Sequence, residues 1–291
     1  MLSKVVRKFR HAGIAGVYDA VRFRVASKTF RPYRHKISVG GVDLQLNIED
    51  FEADTWYGRY RYGWIVWPEQ EFDWIVRHVS PDDVIYDIGA HQGIMSMLFA
   101  RGAVRGEVHA FETSAFNTDV ARKNLALNGI TNVVFNNMCV GAESGEATVS
   151  DDSGGVASLL PTSALNRQMI TVPMVSGDDY SRTQGIHPTF VKIDVEGFEV
   201  EVLTGMKEVL SRRPKIHLEL HNFKFEDRER YVRSCLELID LSGYSIVMQA
   251  APGTEMIPLG GIDDDTIDLI SAGYNPHLYC LPDPSAPASA G

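Results

Sequence analysis

The sequence predicts an α/β protein built on a parallel sheet with helices packed on both faces. From residue 84 onward, short apolar segments typical of strands alternate with stretches of helical periodicity. Such alternation favours parallel strands joined by crossover helices, because an antiparallel pair needs only a short turn. The hydrophobic content of 44% and the charged content of 23% are those of an ordinary globular protein. Right-handed crossovers bring the carboxyl ends of the parallel strands to one edge, where we expect the ligands.

The predicted elements follow one another in a regular order. The five core strands are VIYDIG, EVHAFE, NVVFN, FVKID and IHLELH, and YSIVMQ with HLYCL form a final antiparallel pair. The predicted helices lie at 93–101, 114–128, 198–211 and 226–242. The segment 141–180 interrupts this order with a predicted hairpin, EATVSD and ITVPMV, and with the turn DDSGGVAS, which we interpret as a mobile flap.

The amino-terminal segment 1–36 is predicted to be a basic amphipathic arm. It carries a net charge of +9, whereas the rest of the chain carries −19. Two short amphipathic helices in the arm are predicted to pack on the body of the protein or on a second subunit of a homo-oligomer. Peripheral contact with an anionic membrane surface is the alternative. The acidic body argues against nucleic acid as a substrate.

Three further regions complete the predicted organisation. In the extension 37–80, a hairpin turning at Gly40-Gly41 precedes a cluster of aromatic residues and a helix in PEQEFDWIVRHV. The aromatic density is typical of a core, and a sugar or polyketide pocket is the alternative. The main domain is placed at 81–281 and a disordered tail at 282–291. Three scattered cysteines and the lack of a long apolar run predict a cytoplasmic protein, held at the inner membrane surface if the arm binds lipid.

The first core strand ends in a glycine-rich turn that predicts a nucleoside site. IYDIGAHQG places Asp87, Gly89 and Gly93 between a strand and a helix, with the spacing G-x-x-x-G and not the G-x-G-x-x-G of dinucleotide sites. Asp87 would repel a pyrophosphate and attract an ammonium group. Glu112 ends the second strand, where a carboxylate accepts both ribose hydroxyl protons. A ribose with an ammonium group and no pyrophosphate describes S-adenosylmethionine.

At these motifs the chain resembles the FkbM family of S-adenosylmethionine-dependent methyltransferases. The matching stretches are VIYDIGAHQGIMSMLFA, EVHAFETSAFN, NVVFNNMCVG, FVKIDVEGFEVEVLTG and KIHLELHNF, which together cover roughly residues 80–225. The resemblance implies a class I, Rossmann-like methyltransferase fold with strand order 3-2-1-4-5-7-6, so that 81–281 becomes the methyltransferase domain. It also implies O-methylation of a hydroxyl, typically on a sugar of a glycan, glycolipid or secondary metabolite.

The resemblance further implies which residues bind the cofactor. The cofactor-loop residues are Asp87, Gly89, Ala90, His91 and Gly93. Glu112 falls at the position of the ribose ligand, and Asn137 with Met138 follow the third strand as candidates to flank adenine. His91 stands where the family usually has asparagine, and we expect it to hydrogen-bond within the loop and not to act as a base.

Three polar residues at two strand ends are predicted to form the catalytic site. FVKIDVEGFE places Asp194 after the fourth strand, and KIHLELHN puts Glu219 and His221 at the end of the fifth. His221 is the candidate base for the acceptor hydroxyl, and Asp194 orients it, holds that hydroxyl or is the base itself. Alternatively, Asp194, Glu219 and His221 ligate a divalent ion that acidifies the hydroxyl. The metal-independent base is the interpretation favoured from sequence, and Lys192 is assigned no role.

Together these features predict an S-adenosylmethionine-dependent O-methyltransferase whose acceptor is a saccharide or glycolipid. A non-sugar small molecule, such as a polyketide, phenolic or peptide, is the alternative acceptor. A non-catalytic cofactor-binding module is the alternative function, and the carboxylates at three strand ends weigh against it. We expect acceptor specificity to lie in the segments 51–75 and 150–170.

Overall fold

The computed structural model describes residues 23–59, 69–151 and 168–283. The arm up to residue 22, the aromatic residues at 60–68, the flap at 152–167 and the tail from 284 therefore lie outside the described residues. Residues 23–29 are helical. The further helices are α1 (Phe51–Trp56), α2 (Glu69–His78), α3 (Ile94–Gly102), α4 (Ala115–Leu127), α5 (Gly177–Gln184), α6 (Glu199–Thr204), α7 (Lys207–Ser211), α8 (Arg228–Leu236) and α9 (Asp264–Ala272). The strands are β1 (Tyr33–Val39), β2 (Val42–Ile48), β3 (Val84–Ile88), β4 (Glu107–Phe111), β5 (Val133–Asn136), β6 (Cys139–Gly141), β7 (Gly145–Asp151), β8 (Gln168–Ser176), β9 (Phe190–Ile193), β10 (Lys215–Glu219), β11 (Tyr244–Gln249), β12 (Met256–Leu259) and β13 (His277–Pro282).

The central sheet has eight strands in the order β12-β11-β13-β10-β9-β3-β4-β5. The five strands from β10 to β5 are parallel, and β13 is antiparallel to both of its neighbours. The predicted order 3-2-1-4-5-7-6 corresponds to β5-β4-β3-β9-β10-β13-β11, and it is confirmed together with the Rossmann-like fold class. In the central sheet, one strand was not predicted: β12 adds an antiparallel edge beside β11.

Both faces of the sheet are covered, because consecutive strand residues point to opposite sides. Ile85 of β3 packs in a cluster with residues of α2, α3 and α4, whereas Tyr86 packs in a cluster with residues of α6, α8 and α9. Both side chains are completely buried. Among the described residues, no helix has the length and apolar character needed to cross a membrane.

Two predicted helices are shorter than their sequence pattern suggested. The segment 198–211 forms α6 and α7, which are separated at Gly205 because its carbonyl accepts from the Asp178 N–H instead of continuing one helix. A Cβ at Gly205 would also lie 2.0 Å from the Gly141 carbonyl oxygen. The segment 226–242 is helical only from Arg228 to Leu236, after which turns with i→i+3 hydrogen bonds follow.

The predicted hairpins are present and flank the central sheet. The turn between β1 and β2 is formed by Gly40 and Gly41, both with positive φ, and the strand begins at Tyr33, earlier than predicted. The hairpin is tied to α4 because Asn124 accepts from the Asn47 N–H at 2.7 Å. Strands β7 and β8 form the second hairpin, and β6 joins them in a three-stranded sheet.

Candidate active site

A cavity of about 270 Å³ opens at the carboxyl ends of β3, β4, β9 and β10. This is the edge where the sequence predicted the ligands. The predicted site residues that line it are Gly89, Ala90, His91, Glu112, Met138, Asp194 and Glu219. Trp56 and Tyr57, at the end of α1 in the extension, line it as well. Asp50 caps α1 and accepts from the Gln92 amide at 2.6 Å, which fixes the extension to the glycine loop.

The glycine loop passes very close to the end of β9. Gly89 has a φ of +81°, and a Cβ on it would lie 1.7 Å from the Asp194 carbonyl oxygen. Gly93, also at a φ of +81°, is the N-cap of α3. His91 has a φ of +49°, a left-handed conformation that asparagine adopts more readily than most residues. Burial lowers the pKa of the His91 imidazole, so the ring is neutral at neutral pH.

Glu112, which directly follows β4, lines the cavity and is held by backbone groups. Its two carboxylate oxygens accept from the His91 N–H at 2.9 Å and from the Ser114 N–H at 2.7 Å. Burial raises the pKa of Glu112 to about 7, although both N–H groups oppose this shift. Asn137 does not line the cavity: its amide donates to the carbonyls of Glu112 and Thr113 and thereby secures the turn.

Asp87 is completely buried behind the cavity wall. It accepts from the Ser96 hydroxyl at 2.5 Å, and its other oxygen lies 3.6 Å from the Lys192 ammonium. Contact between Asp87 and a cofactor ammonium therefore stays a prediction. Lys192, to which the sequence assigned no role, donates to Asp194 at 3.1 Å. Burial opposes its charge, but Asp194 and Asp87 outweigh that effect and raise the pKa of Lys192.

The position of Lys192 beside Asp194 and Asp87 could have been predicted from the sequence. Residues 192 and 194 are two apart at the end of a strand, and alternation puts such residues on the same face. In addition, the register of β3 and β9 pairs Asp87 with Lys192. A lysine between two acids at one strand edge is therefore the buried cation that pairs with both carboxyl groups.

Asp194, Glu219 and His221 are brought together at the cavity floor. The Nε2 atom of His221 lies 3.8 Å from Asp194 Oδ1 and 3.7 Å from Glu219 Oε1. It lies 3.6 Å from Glu196 Oε2, which also forms an ion pair with Lys224. Asp194 is 29% exposed, whereas the His221 ring lies behind the carboxylates and does not line the cavity.

Glu199, which was not predicted as a partner of His221, binds the other ring nitrogen of that histidine. His221 Nδ1 donates to Glu199 Oε1 at 2.7 Å, and Glu199 also accepts from the Gly197 N–H and the Tyr231 hydroxyl. Burial opposes a charge on His221, yet Glu196 and Glu199 raise its pKa well above 6.5. Without another cation at Nε2, the ring is protonated at neutral pH and cannot accept a proton. The role of His221 as a base stays a prediction, and this environment does not favour it.

A second buried cluster adjoins the cavity floor. His217 of β10 lies 3.1 Å from His277 of β13 and 3.5 Å from Glu71 of α2. Burial lowers the pKa of His277 to about 4 and raises that of Glu71 to about 8, so at neutral pH His277 is neutral and Glu71 is largely protonated. His277 connects the two clusters, because its Nε2 lies 3.6 Å from Glu219 Oε1.

The sheet order and the glycine loop at the end of β3 define the class I methyltransferase fold. The model of the methyltransferase FkbM domain matches residues 87–246, which is more than half of the chain. The chain therefore belongs to the FkbM methyltransferase family. This match confirms the resemblance and the enzyme class predicted from the sequence.

The chain is also similar to individual proteins over part of its length. It is 25% identical to the hexuronic acid methyltransferase AglP of Haloferax volcanii over 50% of this chain and 59% of that protein. It is 39% identical to an uncharacterised protein of Methanocaldococcus jannaschii over 20% of this chain and 22% of that protein. The crystal structure of methyltransferase FkbM from Methylobacillus flagellatus aligns with a TM-score of 0.45 and 16% identity, over 78% of this chain and 47% of that one. The chain thus spans less than two thirds of each of these proteins.

Proposed function

We propose that the protein is an S-adenosylmethionine-dependent O-methyltransferase that acts on a hydroxyl of a saccharide in a glycan, glycolipid or glycosylated metabolite. The observation that carries this proposal is one cavity lined by carboxylates from different strand ends. Glu112, which accepts from the His91 N–H of the glycine loop, follows β4, whereas Asp194 and Glu219 lie at the ends of β9 and β10. The first carboxylate suits a nucleoside, and the other two suit a polar acceptor.

The residues present fit S-adenosylmethionine. Glu112 would hold the ribose hydroxyls, because its carboxylate faces the cavity and is fixed by two backbone N–H groups. Ile94, Phe111 and Met138 give an apolar lining for a base. The carboxylates of Asp194 and Glu196 give the cavity the negative potential that favours a sulfonium and an ammonium group.

When bound, S-adenosylmethionine supplies a methyl group on a sulfonium, and attack by the acceptor oxygen leaves S-adenosylhomocysteine. The residues of the chain orient the acceptor hydroxyl and accept a hydrogen bond from it. Asp194 is suited to this task because it is partly exposed and ionised. Burial opposes its charge, but Lys192 and His221 lower its pKa. Glu219 is turned toward Asn275, which donates to it.

Two observations support a saccharide as the acceptor. Trp56, 43% exposed, and Tyr57 form a wall of the cavity, and an aromatic face packs well on the C–H groups of a sugar ring. The relative AglP is, by its name, a methyltransferase of a hexuronic acid. The segment 51–75, which was expected to set acceptor specificity, supplies both aromatic residues.

Calorimetric titration with S-adenosylmethionine tests the cofactor site. We expect Glu112→Ala to weaken binding by about 2–4 kcal/mol, the cost of losing two hydrogen bonds to a carboxylate. Glu107→Ala is the matched control, because Glu107 begins the same strand at the opposite edge of the sheet. Equal affinities of both variants for S-adenosylmethionine would show that Glu112 does not bind the cofactor.

Methyl transfer tests the acceptor. The full chain is incubated with labelled S-adenosylmethionine and panels of saccharides, phenolics and peptides, and S-adenosylhomocysteine is quantified. Product formation with saccharides alone is the expected result. Transfer only to phenolics or peptides would contradict the saccharide proposal, and cofactor binding without transfer to any panel would indicate a non-catalytic module.

A further inference from the structure

The residues at the cavity floor have the arrangement of a divalent-cation site. Asp194, Glu219 and His221 each offer one ligand atom, and these atoms all lie within 4.8 Å of one another. The distances from His221 Nε2 to Asp194 and Glu219, 3.8 and 3.7 Å, are too long for hydrogen bonds. Two ligands that each lie about 2.1 Å from an ion are roughly 3.0–3.4 Å apart, so the two distances from His221 Nε2 exceed that spacing by about 0.3–0.8 Å.

The orientation of His221 is that of a metal-binding histidine. Such a histidine donates its second ring N–H to a carboxylate, which fixes the ring and directs the free nitrogen at the ion. Here Nδ1 donates to Glu199 at 2.7 Å, and Nε2 is directed at Asp194 and Glu219. Glu199 is itself completely buried and is held by Gly197. The carboxylate is therefore fixed before any ligand arrives.

A second buried imidazole nitrogen is directed at the same place. His277 is 2% exposed, and its Nε2 has no hydrogen-bond partner among the described residues, although it lies 3.6 Å from Glu219 Oε1. A buried polar atom without a partner costs free energy, so native structures seldom leave one. A ligand held by Glu219, or a water molecule on it, would provide that partner.

The local charge also favours a cation. Four carboxylates surround the His221 ring, those of Asp194, Glu196, Glu199 and Glu219. The ammonium groups that pair with them in the described part of the chain are those of Lys192 and Lys224. The carboxyl groups outnumber the ammonium groups that pair with them, and a divalent ion would favour the ionised form of each carboxyl group that binds it.

We propose that Asp194, Glu219 and His221 bind a divalent metal ion whose open positions face the cavity. A ligand set of one imidazole nitrogen and two carboxylate oxygens suits Mn²⁺ or Zn²⁺ better than Mg²⁺, which is bound by oxygen ligands. The role of the ion in methyl transfer rests on the proposed function: the ion binds the acceptor hydroxyl and lowers the pKa of that hydroxyl. The hydroxyl proton passes to water in the cavity, the oxygen forms its bond to the methyl carbon, and the carbon–sulfur electron pair remains on sulfur.

Titration of the full chain with Mn²⁺ tests this inference without any methyl transfer. The protein is treated with a chelator and desalted, and the free Mn²⁺ signal is followed by electron paramagnetic resonance. We expect about one bound Mn²⁺ per chain, and an affinity about tenfold lower or worse for Glu219→Gln and for Asp194→Asn. Calorimetry with S-adenosylhomocysteine confirms that each variant is folded.

Two matched controls locate the ion. Glu237→Gln makes the same chemical change at an exposed position of the surface, and Glu71→Gln makes it in the neighbouring histidine cluster. Both are expected to bind Mn²⁺ like the parent chain. The inference is overturned if the parent takes up no Mn²⁺ at millimolar concentration, or if Glu71→Gln lowers the affinity as much as Glu219→Gln. Specific Mn²⁺ binding without transfer to any acceptor would leave the metal site standing and would contradict the proposed function.

Discussion

Replacement of Gly89 by alanine should damage the site through a clash between two backbone segments. The new Cβ would lie 1.7 Å from the Asp194 carbonyl oxygen and 2.8 Å from its carbonyl carbon. No side chain can move to relieve this contact, so the end of β3 must separate from the end of β9. The φ of +81° adds a second penalty, because residues with a Cβ avoid this conformation.

The magnitude follows from these two terms. A left-handed conformation costs about 1–2 kcal/mol, and overpacking costs about 1–3 kcal/mol, so the free energy of unfolding should fall by about 2–5 kcal/mol. Gly129→Ala isolates the first term: Gly129 has a φ of +63° and no atom within 4 Å of the added Cβ. Urea denaturation of both variants measures the difference, which should be about 1–3 kcal/mol. Equal stabilities of Gly89→Ala and Gly129→Ala would refute the reasoning.

Four further predictions concern the site and the arm. Because the pKa of Glu112 is about 7 and the ribose must donate to the ionised carboxylate, the affinity for S-adenosylmethionine should fall about tenfold per pH unit below pH 7. The free energy of unfolding without ligand has the opposite pH dependence. The contribution of this raised pKa to that free energy is lost as the pH rises through 7. Calorimetry between pH 5.5 and 8, in steps of about half a unit, checks this, and a pH-independent affinity would contradict it. Lys192→Met should lower the free energy of unfolding by about 3–5 kcal/mol because it leaves buried carboxylates without their cation, whereas Lys123→Met, at an exposed pair with Glu49, should cost less than about 1 kcal/mol in the same denaturation assay. Trp56→Ala should raise the KM for a saccharide about two- to tenfold while the cofactor affinity stays constant, with Phe116→Ala, exposed on α4 away from the cavity, as the control; equal KM values would place the acceptor elsewhere. Deletion of residues 1–22, which carry +4 of the +9 charge of the arm, should weaken salt-sensitive sedimentation with anionic vesicles, and equal sedimentation of both forms would show that this part of the arm does not hold the protein on lipid.

The fold could be predicted from the sequence because its signals are local. Each core strand is a short apolar run, and each crossover helix has its own periodicity, so the order of elements fixes the order of parallel strands. Strand β12 was not predicted because it lacks such a local signal. Its four residues, MIPL, are all apolar, so they show no alternation of polar and apolar side chains. They include Pro258 and are at best half-buried, which is typical of an edge strand. The break at Gly205 was also not predicted, because it depends on the distant Asp178 N–H, which donates to the Gly205 carbonyl.

The sequence could predict candidate site residues only at positions directly at or after the end of a strand. Glycines at a turn and acids after apolar runs can be recognised without knowing their neighbours, and this is how Gly89, Glu112 and Asp194 were identified. The partners of these groups come from elsewhere in the chain. Tyr231 reaches Glu199 from α8, and no local pattern marks a tyrosine in an amphipathic helix as a hydrogen-bond donor to a buried acid.

His277 differs from Tyr231, because the sequence held enough information to place it. The segment HLYCL was predicted as a strand antiparallel to its neighbour, and an antiparallel strand presents its first residue at the edge where parallel strands present their last. The register pairs His277 with Glu219, the last residue of β10. A histidine at the first position of such a strand therefore belongs among the candidate site residues. The same reasoning explains why one antiparallel strand can supply an imidazole beside carboxylates at the ends of parallel strands. Through His277, the polar cluster extends from Glu219 to His217 and Glu71.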